Sequence, residues 1–554
     1  MKKPSFKSAK QGAAEPAAPR PVEPGAPGAE APGGRPSGGA SRTGVSLLAG
    51  AVAIGAVFGI AELRPPSGPT VVPAVAGTAK VERTALVCPQ PLHGLTGSTA
   101  LTLFSPEEGG SGGYGALSNA APHAPVADAP SGSPSAAPAT PAPATPAPAD
   151  AAPADAKVAL TKPGVPATGP ADNGDVAPGA TAVATGGYAP GFSVSQVTAV
   201  TDEQARGLSG VECTPTGTSF WFAGAGTSAE RVDYISLVNP DPLVAAVVDI
   251  KLYGDKGPIE NPAAEGIGLA PGASQSIRLS SLTKDQKDLA LRVVARSGRI
   301  GAGVHAVETG KGADWIQPSA VPAATQVLPG LVADASAARL VIVAPGEEDA
   351  DLKVQVSGRN GWFTPAGFET VHVKAGMVNA VDLGQITRGE PGALRLSPSD
   401  ETHPTPVVAT LRMDRVQNNK AEAAWITGAV PIGPRASIAD NRGGNATTLY
   451  LTSTGEEAKV KVTASAGTGG GTPATKEVTV PAGATVALPA PEPAGLNGSF
   501  GLTVETVSGG PVTAARMLAL PVKDAPGFTV QSFRDDRSTV RIPQSRPDPA
   551  VLLR

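Results

Sequence analysis

Alternation of apolar and polar residues with a period of two runs through the chain from about residue 219 onward. It is clearest in 248–254, 352–358 and 460–466, which read VDIKLYG, LKVQVSG and VKVTASA. Turns rich in Gly, Pro, Asn and Asp separate these stretches. A period of two between turns is typical of half-buried antiparallel strands, and helical periodicity is almost absent. The pattern therefore predicts a mostly β protein.

The strand pattern occurs three times. Each copy contains a similar strand–turn–strand segment, at 233–257, 338–361 and 447–469. Repeats of roughly 100 residues are long enough to bury a core of their own. We therefore expect three tandem β-sandwich units of the immunoglobulin or fibronectin type, at 191–316, 317–426 and 427–533.

One uncharged run, 43–61, comes close to the roughly 20 residues that a helix needs to cross a bilayer. Residues 1–42 before it carry more Lys and Arg than Asp and Glu, and such an excess keeps that side cytoplasmic. We expect a signal anchor, with the N-terminus in the cytoplasm and the C-terminal bulk outside the cell. A cleaved signal peptide is the alternative, because residues 74–76 resemble a cleavage site.

Two segments are rich in Ala, Pro and Gly: the tail 1–42 and residues 105–190, which contain the repeat ATPAPATPAPAD. Such segments cannot bury enough apolar surface to offset the entropy lost on ordering. We therefore expect a disordered cytoplasmic tail and a disordered linker. We expect residues 62–104 to form an extracytoplasmic segment between the anchor and the linker. The sequence does not decide whether the C-terminal tail, 534–554, is ordered.

Cys88 and Cys213 are the two cysteines of the chain. Both follow the anchor, so both are expected in the outer, oxidising compartment, where pairing is favoured. A disulfide between them would tie the segment 62–104 to the start of the folded region. A lipid-modified Cys88 and two free thiols are the alternatives.

Trp221, Trp315 and Trp425 each stand near a boundary between two units. A tryptophan at such a joint either packs the interface between neighbouring sandwiches or binds a sugar by stacking. Its repetition at the joints favours packing, and ligand binding is the alternative.

Composition and motifs limit the functional classes. The net charge is −4 without a basic cluster outside the N-terminal tail, so nucleic-acid binding is not expected. The sequence contains no HExxH or P-loop motif. We interpret Glu347, Glu348, Asp349 and Asp351 as a solvated turn. We therefore predict no enzymatic activity and no catalytic, cofactor-binding or metal-binding residue.

Three stretches carry a family resemblance: VCPQPLHG around Cys88, VECTPTGTSFWFAGAGT around Cys213, and YISLVNPDPLVAAVVDIKLYGDKG at 234–257. In these stretches the chain resembles the actinobacterial family DUF5719, over residues 80–104 and 190–530. The resemblance implies a membrane-anchored or secreted cell-envelope protein of unknown activity, in an envelope-polysaccharide setting. It assigns no residue a role.

The combined expectation is a single-pass envelope protein that acts as a non-enzymatic binding or scaffold protein. Its partner would be an envelope membrane protein or a cell-wall glycan. The alternatives are a wall carbohydrate-binding module, an accessory subunit of an envelope glycosyltransferase and, as the least favoured, a hydrolase without a recognisable motif.

Overall fold

The computed structural model describes residues 77–107, 112–122, 151–174 and 177–542. Within these ranges the chain forms strands, turns and three short 3-10 helices, without an α-helix. The 3-10 helices are Gly186–Tyr188, Pro262–Ala264 and Leu279–Ser281. The mostly β fold class is therefore confirmed. The predicted tail 1–42 and transmembrane helix 43–61 lie outside the described residues, and no helix inside them could cross a membrane.

The N-terminal region forms a β-sandwich that we call sandwich 1. The strands of this region are β1 Thr78–Lys80, β2 Arg83–Cys88, β3 Gly97–Phe104, β4 Gly115–Asn119, β5 Ala121–Pro122, β6 Val158–Ala159, β7 Ala167–Pro170, β8 Ala180–Thr185, β9 Ser193–Val200, β10 Gly207–Glu212 and β11 Thr214–Pro215. One sheet has the order β11-β2-β8-β4-β6 and the other β10-β9-β3-β7. Leu101, Leu117 and Val194 lie in the core between them.

Sandwich 1 differs from the expectation for this part of the chain. The described parts of 105–190, expected as a disordered linker, contain β4 to β8, and residues 193–215, expected in the first repeat, complete the same sandwich. The strand β8, ATAVAT, alternates buried and half-buried positions but has small side chains. Short Ala- and Thr-rich strands carry little hydrophobic signal, which is why composition alone favoured disorder.

Sandwiches 2, 3 and 4 correspond to the three sequence repeats. Sandwich 2 contains β12 Ser219–Ala225, β13 Tyr234–Val238, β14 Ala246–Gly254, β15 Gly257–Ile259, β16 Ile267–Leu269, β17 Ala273–Arg278, β18 Leu289–Ser297, β19 Gly301–Glu308 and β20 Gly312–Ile316. Sandwich 3 contains β21 Gln326–Leu331, β22 Ala337–Val343, β23 Ala350–Gly358, β24 Gly361–Phe363, β25 Val371–Val373, β26 Val378–Asp382, β27 Gly392–Pro398, β28 Val408–Gln417 and β29 Lys420–Thr427. Sandwich 4 contains β30 Arg435–Asn441, β31 Thr447–Ser453, β32 Ala458–Gly467, β33 Ala474–Val480, β34 Thr485–Pro489, β35 Phe500–Gly509, β36 Val512–Ala519 and β37 Phe528–Ser532.

The three repeats share one topology. The first sheet of each has the order β12-β18-β14-β15, β21-β27-β23-β24 or β30-β35-β32-β33. The second sheet, read in the same direction in each repeat, has the order β17-β13-β19-β20, β26-β22-β28-β29 or β34-β31-β36-β37. In sandwich 2, β5 adds to β17 in parallel. The apolar positions of the alternating strands face inward and form a separate core in each sandwich.

The first strand of each repeat carries a β-bulge at the same place. The bulge residues are Gly224 in β12, Gly330 in β21 and Asp440 in β30, with φ angles of 88°, 97° and 58°. This left-handed backbone favours glycine, and aspartate tolerates it better than most residues. A bulge bends its strand, and each of these strands packs against another sandwich: β12 and β21 against the next one along the chain, and β30 against sandwich 1.

The four sandwiches contact one another in a closed ring. The strands β10, β20, β29 and β37, one from each sandwich, touch in cyclic order, and β37 returns to β10. We call these the hub strands. Farther out, β12 packs on β28, β21 on β36 and β30 on β9. We name the interfaces by the sandwiches that they join: seams 1/2, 2/3, 3/4 and 4/1.

The two ends of the described chain meet. Strand β1 pairs antiparallel with β38 Thr539–Arg541, and Val81 N–H donates to the carbonyl of Ser538 at 2.9 Å. Residues 534–542, the described part of the predicted C-terminal tail, are therefore ordered. This pairing places the start of the described chain next to the end of sandwich 4.

Candidate functional site

Buried carboxylates join the hub strands across the centre of the ring. Glu422 on β29 is completely buried, and its Oε1 accepts hydrogen bonds from the N–H of Leu208 on β10 (2.7 Å) and of Phe528 on β37 (3.2 Å). Its Oε2 accepts one from Gly527 N–H at 2.5 Å. Burial raises the pKa of Glu422 to about 7. One side chain of sandwich 3 thus binds sandwiches 1 and 4.

Asp314 on β20 makes the second connection across the hub. It accepts hydrogen bonds from Gly210 N–H on β10 (2.9 Å) and from Thr529 Oγ1 on β37 (3.0 Å). Gln531 Nε2 in turn donates to Thr529 Oγ1 at 2.6 Å. Burial raises the pKa of Asp314 well above its ordinary value. Sandwich 2 is thereby linked to sandwiches 1 and 4.

Arg516 fills seam 4/1. Its guanidinium donates to the carbonyls of Ala439 (2.6 Å) and Asp440 (2.7 Å) and to Gln531 Oε1 (2.9 Å), and it lies 3.2 Å from Glu212 Oε1. Burial raises the pKa of Glu212 to about 7, against the opposing effect of Arg516. The arginine therefore connects the first strand of sandwich 4 to β10.

These groups hold the ring together. Glu212, Asp314 and Glu422 are all buried, and each accepts hydrogen bonds within the packed centre. A general acid or base must reach a substrate proton, directly or through one water, and these side chains are enclosed by strands. We therefore assign the hub a structural role.

The three joint tryptophans lie in two seams. Trp221 packs against Val341 and Val343 of sandwich 3, and Trp425 extends from β29 to the core of sandwich 2, so both lie in seam 2/3. Trp315 lies in seam 1/2, because its ring and Pro89 of sandwich 1 both border Gly303. Its ring centre lies 4.7 Å from that of His305. The side chains are 6 %, 1 % and 1 % exposed for Trp221, Trp315 and Trp425. None of the three offers an open ring face.

Cys88 and Cys213 form a disulfide, as predicted. The bond lies in the core of sandwich 1, in contact with the apolar cluster of that sandwich. It therefore strengthens one domain internally, whereas the sequence-based expectation had it joining a separate segment to the folded region.

The acidic turn of sandwich 3 is exposed. Asp351 Oδ1 lies 2.9 Å from His372 Nδ1, and Asp349 Oδ2 lies 3.4 Å from His372 Nε2. Glu347 and Glu348 extend into solvent. Across the described ranges, no group of three or more metal-binding side chains comes together.

A narrow cleft of about 50 Å³ opens in seam 2/3, and we call it the seam cleft. Its inner wall is formed by Gly224, Thr410 and Trp425. The guanidinium of Arg231 lies 5.4 Å from the ring centre of Trp425. The cleft is lined by polar side chains from two sandwiches. A larger groove, of about 460 Å³, opens in seam 4/1, where Leu208 of sandwich 1 and Val522 of sandwich 4 are among its lining residues.

Ion pairs fix the side walls of the seam cleft. Arg339 donates two hydrogen bonds to the Asp288 carboxylate, from Nε at 3.0 Å and from Nη2 at 2.5 Å. Arg412 donates to Glu308 Oε2 at 2.7 Å and also binds Asp414 at 2.9 and 2.8 Å. The arginines are therefore held in place by carboxylates from both sandwiches.

Sequence reasoning missed the hub residues and the seam cleft. Glu422 and Asp314 are isolated acids in the strands KAEAAWIT and GADWI. The available signal was an acid within three positions of a joint tryptophan in an otherwise apolar strand. Their hydrogen-bond partners come from distant repeats, so the partners could not be inferred from spacing.

Fold and site define a β-sandwich protein in which four domains close a ring around a buried polar hub. The chain belongs to the family of unknown function DUF5719, whose family model matches residues 167–491. A search of curated proteins finds no match. Among solved structures, the pilus adhesin SpaC of Lactobacillus rhamnosus GG in its open conformation is similar at 7% identity, with a TM-score of 0.12. The alignment covers 79% of this chain and 56% of the adhesin chain, so the chain spans little more than half of the adhesin.

Proposed function

We propose that this protein is a non-enzymatic binding or scaffold protein of the cell envelope. In this proposal, residues 43–61 anchor it in the membrane and the four sandwiches stand on the outer side. The Cys88–Cys213 disulfide supports the outer location, because such bonds persist in oxidising compartments. An envelope membrane protein is the partner that we favour.

The closed ring is the observation that carries this proposal. Each sandwich contacts two others, and the hub carboxylates connect sandwiches that lie opposite one another. A satisfied buried polar network makes a core rigid. Loops on a rigid scaffold are the usual location of binding residues, so the ring suits a protein that presents loops to a partner.

The loop between β13 and β14 is the strongest candidate for partner contact. Leu243 is 85% exposed and Val244 is 57% exposed. Asp241 Oδ1 accepts hydrogen bonds from Leu243 N–H (2.9 Å) and Val244 N–H (3.0 Å), and Asn239 Nδ2 donates to the carbonyl of Val244 at 2.9 Å. The apolar tip is therefore preorganised, which reduces the entropy lost on binding.

The alternatives are less well supported. Trp221, Trp315 and Trp425 are buried, so a glycan-binding role would need a surface other than their rings. Glu212, Asp314 and Glu422 are engaged in hydrogen bonds of the ring, which favours a non-enzymatic role over a hydrolase. An accessory role beside an envelope glycosyltransferase is one form of the scaffold proposal.

Photo-crosslinking in cells tests the partner. The full-length protein carries a photoreactive phenylalanine analogue at Leu243, with Val507 as the control position because it is also exposed but lies in sandwich 4. We expect one membrane protein to be captured from position 243 and not from 507. Retention on cell-wall polymer without any captured protein would contradict the proposed partner class and favour glycan binding.

Thiol labelling tests the location. A cysteine placed at exposed Val507 should react with a membrane-impermeant maleimide in intact cells. A cysteine at Lys7, in the predicted cytoplasmic tail, should react only after lysis. The reverse pattern would refute the proposed topology.

A further inference from the structure

A threonine hydroxyl, a glutamine amide and a carboxyl group meet inside the hub. Thr529 and Gln531 lie two positions apart on β37, so their side chains point to the same face of the strand. Gln531 Nε2 lies 2.6 Å from Thr529 Oγ1, which lies 3.0 Å from both carboxyl oxygens of Asp314 on β20. Arg516 Nε lies 2.9 Å from Gln531 Oε1. A nucleophile, an acyl group and a proton acceptor are thus neighbours.

The donor and acceptor chemistry of these groups determines how each is oriented. A guanidinium can only donate, so the amide atom that faces Arg516 is the oxygen, and the NH2 group of Gln531 faces Thr529. That NH2 group can only donate, so Thr529 Oγ1 accepts from it and directs its own proton to Asp314. Gly210 N–H donates to Asp314 Oδ1 at 2.9 Å and holds the carboxyl group in position. The hydroxyl proton therefore points at a proton acceptor, and the amide oxygen points at a positive charge.

The hydroxyl oxygen of Thr529 lies close to the amide carbon of Gln531. An amide C–N bond is about 1.33 Å long, so an oxygen 2.6 Å from Gln531 Nε2 lies within about 3.9 Å of Cδ. A separation of about 3–3.5 Å between reacting atoms defines a near-attack geometry. Because the terminal torsion of a glutamine is soft, a small rotation turns the face of the amide toward Thr529 Oγ1.

The neighbouring strand β10 encloses the pair. Gly210 lies directly against it, because an added Cβ there would clash with Gln531 Nε2 and lie 3.0 Å from Thr529 Oγ1. Thr529, Gln531, Asp314 and Arg516 are each 0% exposed. Burial also raises the pKa of Asp314 well above its ordinary value, so this group can hold a transferred proton near neutral pH. Exclusion of water favours acyl transfer within the chain over hydrolysis of the amide.

A second hydroxyl–amide contact shows what the hub adds. In sandwich 1, Thr99 Oγ1 donates to Asn173 Oδ1 at 2.8 Å and also bonds to Thr198 Oγ1 at 2.8 Å. There the amide oxygen faces the hydroxyl, and the neighbouring group is a second hydroxyl in place of a carboxyl. Of these two contacts, the one in the hub alone joins the hydroxyl to a carboxyl group and the amide oxygen to a guanidinium.

We propose that Thr529 and Gln531 join in a side-chain ester that the protein forms by itself. Thr529 Oγ1 attacks Gln531 Cδ while its proton passes to the carboxyl group of Asp314. Arg516 stabilises the negative charge that develops on Oε1. The Cδ–Nε2 bond then breaks, Asp314 gives a proton to the leaving nitrogen, and ammonia is released. An alcohol and an amide thus yield an ester and ammonia, without an oxidant, a cofactor or an outside substrate.

This reaction is compatible with the structural role of the hub. It occurs once in each chain and needs no access from solvent, so enclosure by strands does not prevent it. The structure contains the two side chains before they join. The ester fixes the face of β37 that contacts β10 and Asp314. This inference is independent of the partner and the location proposed above.

Mass spectrometry of a tryptic digest of the full-length protein tests the ester. Cleavage after Lys523 and Arg534 leaves both residues in one peptide, 524–534. We expect most of this peptide to be lighter than its sequence predicts by the mass of one ammonia molecule. Hydroxylamine, which cleaves esters to a hydroxamate and a free hydroxyl, should convert it to the hydroxamate. The peptide that contains Asn173 should keep its full mass. A full mass for every molecule of peptide 524–534 overturns the proposal.

Three variants assign the reaction to these groups. Thr529→Val removes the hydroxyl and Asp314→Asn removes the carboxyl group, so each should leave the peptide at its full mass. Ser532→Ala is the matched control, because this hydroxyl is adjacent to Gln531 in the chain but on the opposite face of β37, and the variant should keep the mass deficit. A deficit that persists in Thr529→Val would mean that Gln531 loses ammonia to its own backbone. That result overturns the proposal even if Asp314→Asn does not fold.

Discussion

At the scale of single residues, Glu422 makes the stability of the ring depend on pH. Its pKa is raised from 4.5 to about 7 in the folded protein, chiefly by burial. Between these values the folded chain holds a proton that the unfolded chain has released. The stability linked to this proton is complete below about pH 4.5 and is lost as the pH rises through 7.

We predict that the unfolding free energy of the wild type, minus that of Glu422→Gln, falls by about 3 kcal/mol from pH 4 to pH 8. Urea unfolding at a series of pH values measures this difference. Glu477→Gln, on an exposed position of β33, is the control and should give a difference that does not change with pH. A constant difference for Glu422→Gln would show that the carboxyl does not titrate in this range.

His305 makes the stability of the fold depend on pH in the opposite sense, with stability lost toward acidic pH. Burial lowers its pKa from 6.5 to about 3, and His93 adds to the effect. The unfolded chain therefore takes up a proton below about pH 6.5 that the folded protein excludes, and stability is lost as the pH falls. In His305→Phe, the ring beside Trp315 can no longer take up a proton. We predict that this variant reduces the loss of stability by up to about 1.4 kcal/mol per pH unit. Thermal melts from pH 4 to 7 should show the advantage of the variant growing toward low pH, and an equal gap at every pH would contradict the argument.

At the scale of elements, the β-bulge of each first strand sets how closely two sandwiches approach. Gly330 has a φ of 97°, and an added Cβ would lie 2.9 Å from Val530. Gly310 has a similar φ of 79°, but an added Cβ there would meet no atom within 4 Å. Alanine substitutions at Gly310 and Gly330 therefore distinguish the cost of backbone strain from the cost of steric conflict across seam 3/4.

We predict that Gly310→Ala destabilises the protein by about 1 kcal/mol, from backbone strain alone. Gly330→Ala should cost about 3 kcal/mol, because overpacking of the seam adds to the strain. Chemical denaturation of the two variants measures both costs. Equal costs would mean that seam 3/4 adjusts to the added methyl group without strain.

The sequence contained enough information for elements whose signal is local. Strands such as β14 and β23 alternate apolar and polar residues, so sandwiches 2, 3 and 4 could be predicted. The two cysteines, both expected in an oxidising compartment, predicted the disulfide. Sandwich 1 was hidden because a low-complexity stretch interrupts it and strands such as β8 have small side chains. The hub depends on contacts such as Glu422 with Leu208, which join distant repeats, and no pattern within one repeat specifies them.

At the scale of the whole molecule, sandwich 1 closes the ring. Its hub strand β10 touches both β20 and β37, and its core contains the Cys88–Cys213 disulfide. The two cysteines are 125 residues apart, so the bond restricts a long loop in the unfolded chain. On the chain-entropy model, such a loop corresponds to about 5 kcal/mol of stabilisation.

Replacement of both cysteines, Cys88→Ala with Cys213→Ala, should therefore weaken sandwich 1 first. We predict faster amide hydrogen exchange in β2, β8 and β10, and next in the strands β20 and β37 that lose their contact with β10. The inner strands β22 and β23 of sandwich 3 should keep their protection, because their core and their seams do not include sandwich 1. Exchange of the full-length double variant, read by mass spectrometry, measures this order. Equal acceleration in all four sandwiches would instead show that the ring unfolds as one cooperative unit, in which closure of seam 4/1 decides the stability of every sandwich.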